Sequence, residues 1–218
     1  MNPDFDLQER VTDELEWEPS VDASHVGVSE TGGIVTLSGY VGSYFEKKKC
    51  EEIAKKVAGV RAVVDELDLN MPGMATRSDL EIAESAVYTL GQNVLVPPNR
   101  VQVTVDNGWI TLDGEVEWQY QRHAAEDALK IMTGLRGITN KLRVRPAVKV
   151  GDIKSKIQNA LVRSAQLDAK HIHIQINEDV VTLSGHVRSL AEKELAEVAV
   201  WSAPGITRIN NNVVIAPN

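Results

Sequence analysis

Few residues of this chain are spaced to do chemistry, and those that are suit surfaces better than reactions. Lys149, Lys156 and Arg163 recur every seven residues, with Lys154 between them. On a helix the three share one side. Such a stripe either meets an anionic or partner surface or is a solvated helix face. Trp118 is offset from the aromatic position shared by Phe45 and Tyr120. Its indole is expected near the surface, where it anchors a lipid interface or a partner, or else packs between units. His171 and His173 alternate along a polar strand face, and His186 can approach them. Zinc needs three or four ligands, and no cysteine cluster or well-spaced carboxylate completes a set. Cys50 is the one cysteine, so no intramolecular disulfide forms, and a small buried residue is expected there. No Gly-x-Ser-x-Gly elbow, phosphate loop or HExxH motif occurs. The sequence nominates no catalytic residue, no metal ligand and no cofactor.

The elements that would position these residues come in threes. Gly33-Ile-Val-Thr-Leu-Ser-Gly39, Gly108-Trp-Ile-Thr-Leu-Asp-Gly114 and Asp179-Val-Val-Thr-Leu-Ser-Gly185 read alike. A second glycine follows each closing glycine after the same interval, at Gly59, Gly134 and Gly205. Apolar residues keep the register on both sides. It runs without a gap from Leu7 to Leu69, from Ile82 to Val144 and from Ile153 to Ile215. A period of this size marks tandem domains, assigned to residues 1–70, 76–146 and 149–218.

Each unit reads the same way. Leu7/Val11/Leu15, Ile82/Ala86/Leu90 and Ile153/Ile157/Leu161 have the spacing of one helix face. Alternation as in His171-Ile-His-Ile-Gln-Ile176 predicts a half-buried strand. Turn residues such as Asp106-Asn-Gly108 then lead into the Val/Ile-Thr-Leu strand, which pairs back on the first. A second helix is expected to run to Gly59, Gly134 or Gly205, and a third strand follows. The fold class is α+β: three αββαβ domains, each a three-stranded sheet with two helices on one face. Trp17 and Trp201 close helices and are expected to pack.

These residues resemble the BON domain, the bacterial osmotic-stress and nodulation family. The resemblance rests on the Val-Thr-Leu-x-Gly strand end, the amphipathic helix after it, and the later glycine with its Val-x-Asn-like tail, as in Gly205-Ile-Thr-Arg-Ile-Asn-Asn. The first unit departs from that tail with Val64-Asp65. The resemblance implies the αββαβ fold and no catalytic residues. It also implies attachment to phospholipid or envelope surfaces and a part in osmotic stress. The expected partner is therefore a phospholipid surface or a protein, and the alternative is a soluble scaffold for a small ligand, ion or partner.

Charge is uneven. Residues 1–70 carry 15 acids and 7 bases, residues 76–146 carry 9 and 8, and residues 147–218 carry 7 and 8. One unit thus holds the whole net charge of −8. Nucleic acid is not an expected partner of so acidic a chain. Gly134-Leu-Arg-Gly137 does match the loop of RNA-binding KH domains, but it leads into a strand here and its counterparts break the pattern. The polar, acidic N-terminal residues predict cytoplasmic residence, or periplasmic residence if a leader has been removed. Gly114→Val is expected to destabilise the second unit, because the shared site needs positive φ or a close approach to a helix. Thermal unfolding unchanged from wild type would show the glycine to be incidental.

Overall fold

The computed structural model describes residues 3–70, 77–145, 171–177, 180–203, 206 and 208–216. Domain 1 runs α1 (Pro3–Trp17), β1 (Val26–Thr31), β2 (Ile34–Val41), α2 (Tyr44–Lys56) and β3 (Ala62–Leu69). Domain 2 runs α3 (Asp79–Gln92), β4 (Val101–Asp106), β5 (Trp109–Val116), α4 (Gln119–Lys130), β6 (Gly137–Asn140) and β7 (Arg143–Val144). Domain 3 contributes β8 (Ile172–Asn177), β9 (Val180–Val187), α5 (Leu190–Trp201) and β10 (Arg208–Ile215). The helix expected around Ile153, Ile157 and Leu161 lies outside the described residues.

Each sheet has its middle strand at the centre. β1 pairs antiparallel with β2, and β3 pairs parallel with β2 on the other side. The same order recurs in domains 2 and 3. A parallel neighbour needs a crossover, and the second helix of each unit supplies it. Val35, Leu37 and Val41 alternate inward along β2, as do Ile110, Leu112 and Val116, and Val181, Leu183 and Val187. In domains 1 and 2 both helices cover that inner face, with Leu7, Val11 and Leu15 of α1 and Ile82, Ala86 and Leu90 of α3 in the two cores.

The glycines after Val-Thr-Leu-x have a steric cause. Gly39, Gly114 and Gly185 have φ of +100°, +134° and +117°. A Cβ there would lie 2.1, 2.0 and 1.9 Å from the carbonyl oxygens of His25, Arg100 and His171. The close approach comes from the backbone entering the neighbouring strand, not from a helix.

Three details differ from the sequence reading. α2 and α4 stop at Lys56 and Lys130, before Gly59 and Gly134. The chain leaves the helix early enough to bury Val57 and Val60 in domain 1 and Leu135 in domain 2. Gly59 (φ +99°) and Gly134 (φ +84°) then serve the turn into the next strand, and Gly205 lies outside the described residues. Trp17 is 86% exposed, because it falls off the Leu7/Val11/Leu15 stripe. In domain 2 the third strand is interrupted between β6 and β7.

The asparagine in the strand tail is a lock between strand and helix. Asn140 Nδ2 donates to the Arg122 carbonyl (3.0 Å) and to Glu126 (3.1 Å), while its Oδ1 accepts from Leu142 N–H (3.2 Å). Asn211 makes the same set with Lys193, Glu197 and Val213. Asp65 holds this position in domain 1 and still accepts from Leu67 N–H. A carboxylate has no N–H to reach the helix, so Lys47 bridges instead, 3.2 Å from Asp65. Asn140→Ala strands several partners at once and should cost about 1–3 kcal/mol in denaturant unfolding of the full chain. Asn140→Asp is expected to be worse at neutral pH, since it faces Glu126 without an amide.

Candidate functional site

The residues nominated from sequence fall into separate places. Lys149, Lys154, Lys156 and Arg163 lie outside the described residues. The lysines of α2 are engaged with acids: Lys48 with Glu51 (2.7 Å), Lys49 with Glu18 (3.5 Å), and Lys55 with both Glu51 (2.9 Å) and Glu194 (2.8 Å). Burial pushes the Glu51 carboxyl up, but hydrogen bonds and charge from Lys48 and Lys55 outweigh it and hold the group below its ordinary value. Cys50 is fully buried. Burial, with the charges of Glu46 and Asp65, pushes its thiol up to about 11. It is therefore not a thiolate at neutral pH.

His171 meets His186 ring to ring at 4.5 Å, much as His25 stacks on Tyr40 at the same register in domain 1. His173 sits across from Ser184. Among the described residues no three His, Cys, Asp or Glu group to hold a metal ion. The second glycine of Gly134-Leu-Arg-Gly137 has a structural cause. A Cβ on Gly137 would lie 2.5 Å from the ring of Trp109, whose indole N–H donates to Thr139 (2.8 Å).

The three domains close on one another head to tail. The corner between middle strand and second helix of each domain meets the far end of the second helix of the next. Tyr44, first residue of α2, is 4% exposed and buried in the domain 2 core. That seam also holds Gly42, Ser43 and Phe45 against Ile131–Leu135 around a space of about 250 Å³. From domain 3, Leu190 packs on the domain 1 core. Beside it the Arg188 carbonyl accepts from Gly59 N–H (3.1 Å), and Lys55 of α2 reaches Glu194 of α5.

The remaining seam, between domains 2 and 3, is open. Trp118, Gln119 and Tyr120 face Trp201 and Val198 across a cleft of about 790 Å³. Trp118 is half-buried and stacks against Tyr120, with ring centroids 6.4 Å apart. Three residues of this cleft, Trp118, Gln119 and Trp201, depart from the repeat. Ser43 and Ser189 cap α2 and α5 by accepting from Glu46 and Glu192 N–H (both 3.2 Å). Trp118 stands at that position in α4 and gives no side-chain cap; Gln121 instead accepts from the N–H groups of Glu117 and Trp118. Gln119 takes the place of Tyr44 and Leu190. It is 7% exposed, its amide contacts His123 (3.0 Å), and its Oε1 has no hydrogen-bond partner. Trp201 occupies the register of Lys55 and Lys130. The signal for this site lies in the columns of the repeat register where the copies differ.

Known proteins share parts of this architecture. A family model described as BON domain matches residues 3–71, 78–146 and 149–217. Osmotically-inducible protein Y of Escherichia coli (strain K12) is 32% identical over 125 residues, covering 52% of this chain and 60% of that protein. The match thus spans less than two thirds of that relative. Solved structures of CdsD, a structural protein of the type III secretion system of Chlamydia trachomatis, are similar at 16% identity. One covers 98% of this chain and 93% of its own with a TM-score of 0.28; the C-terminal domain covers 97% and 98% with 0.27.

Tyr44→Ala should empty a side-chain volume in the seam between domains 1 and 2 and cost about 3–5 kcal/mol, the range for a buried aromatic. Calorimetry is expected to show domain 2, whose core loses the side chain, melting ahead of the rest. A single transition at the wild-type temperature would mean the seam carries no stability.

Proposed function

The chain belongs to the BON domain family, and from that premise we propose that it is a non-catalytic binding protein of the osmotic-stress response that docks on a phospholipid surface. The stress reading follows the osmotically-inducible relative. The non-catalytic reading follows from what the three copies share, which is core residues, glycines and a strand threonine.

One observation carries the surface reading. α3 is apolar on both sides. Ile82, Ala86 and Leu90 enter the core, and Leu80, Val87 and Tyr88 on the outer face are 68%, 61% and 69% exposed. Val94 and Leu95, just beyond the helix, are also exposed, and Leu95 lines the cleft beside Trp118. A helix that only covers a core is polar outside. At the same register α1 carries Thr12 and Asp13 where α3 has Val87 and Tyr88. Exposed apolar side chains grouped around Glu84 on one helix face suit shallow insertion at a membrane interface. No helix among the described residues is long and apolar enough to cross a membrane.

α3 also carries Asp79, Glu81 and Glu84 with no base, so attraction to anionic lipid is not its mechanism. The protein is expected to co-sediment with zwitterionic phosphatidylethanolamine-rich vesicles, and to do so with little dependence on salt. Replacing Leu80, Val87 and Tyr88 together by serine should cut the bound fraction roughly tenfold or more, from lost apolar burial, without lowering thermal stability. Absence of pelleting at low salt with both zwitterionic and anionic vesicles would overturn the reading.

A further inference from the structure

We propose that the cleft between α4 and α5 is a binding site for a quaternary ammonium group. Three aromatic rings line it, Trp118, Tyr120 and Trp201. The negative face of an aromatic ring attracts a cation, most strongly for tryptophan, and quaternary ammonium ligands are recognised in this way. The space, about 790 Å³, is in the range of small-molecule sites.

The charge of the walls selects the sign. Where the cleft continues along the two helices, Glu126, Asp127, Glu194 and Glu197 face it with one lysine, Lys130. A cleft of one dominant sign concentrates the opposite ion. An anion is thereby excluded. The type of cation follows from the hydrogen bonds. Asp127 already binds Lys130 (2.8 Å) and Glu194 binds Lys55 (2.8 Å). Glu126 and Glu197 accept from Asn140 and Asn211. A primary ammonium needs acceptors for three N–H groups, and a hard metal ion needs six or more oxygens. Each of these carboxylates already has one partner, and among the described residues no three such groups cluster to hold a metal ion. A trimethylammonium group asks only for field and aromatic faces, and the cleft offers both.

The local sequence points the same way. In α4 a tryptophan replaces the serine that caps the equivalent helices, giving up helix stability at this one corner. Local rules are broken in this manner where a site is served.

The test titrates the full chain with choline, read by tryptophan fluorescence and calorimetry. The control ligand is the uncharged isostere in which tert-butyl replaces trimethylammonium. Saturable millimolar binding of choline is expected, with the isostere at least tenfold weaker. Trp201→Ala should lose at least tenfold in affinity. Trp118→Ser restores the capping residue of the other copies, so it should raise the thermal midpoint while losing at least tenfold in affinity; a misfolded variant would not do both. Phosphatidylcholine vesicles that displace choline identify a lipid headgroup as the source, and vesicles that do not compete identify a free solute. Equal affinity for choline and its isostere, undiminished binding by Trp118→Ser, or no saturable signal with choline would overturn the proposal.

Discussion

Burial is the scarce resource of this molecule. A unit of about sixty residues with helices on one face of a small sheet encloses only a marginal core. The structure extends each core past the boundary of its own domain. Tyr44 is a domain 1 residue buried in the domain 2 core, and Leu190 is a domain 3 residue packed on the domain 1 core. Such contacts are heterologous, since one surface of each unit meets a different surface of the next. Heterologous contacts produce either an open filament or a closed ring, depending on the rotation between units. Here two of the three seams, between domains 1 and 2 and between domains 3 and 1, are packed among the described residues.

The parts of the fold that were legible in the sequence obey short periods. Val35, Leu37 and Val41 alternate because strands alternate, and Leu7, Val11 and Leu15 recur because helices turn. Three registered copies made these patterns unmistakable. Helix ends were less legible, because Val57 and Val60 decide the stop at Lys56 by where they must pack, and periodicity contains no term for that. Trp17 shows the same limit: an aromatic residue at a helix end reads as core until its angle around the helix is compared with that of its neighbours.

The site was less legible than the fold for a related reason. Aligning repeats selects what is shared, and shared residues here are structural. Trp118 drew notice only as an aromatic out of step. Its meaning depends on Ser43 and Ser189 being caps, on Gln119 replacing Tyr44 and Leu190, and on Trp201 arriving from another domain. Each is a difference between copies and becomes visible once the seam is assembled. The lock formed by Asn140 and Asn211 belongs with these, since its helix partners lie fourteen and eighteen residues before the asparagine.

Two joints on one body also make a frame with one open side. Two bodies on a flexible linker can swing apart, but a body packed on a shared neighbour is held by that contact. Domains 2 and 3 are both fastened to domain 1, through Tyr44 on one side and through Leu190, Arg188 and the Lys55–Glu194 pair on the other. The spacing of Trp118 and Trp201 is therefore set by contacts on the opposite side of the molecule. The open corner stays open without support of its own, and a guest entering it meets walls already in position, with little ordering left to do.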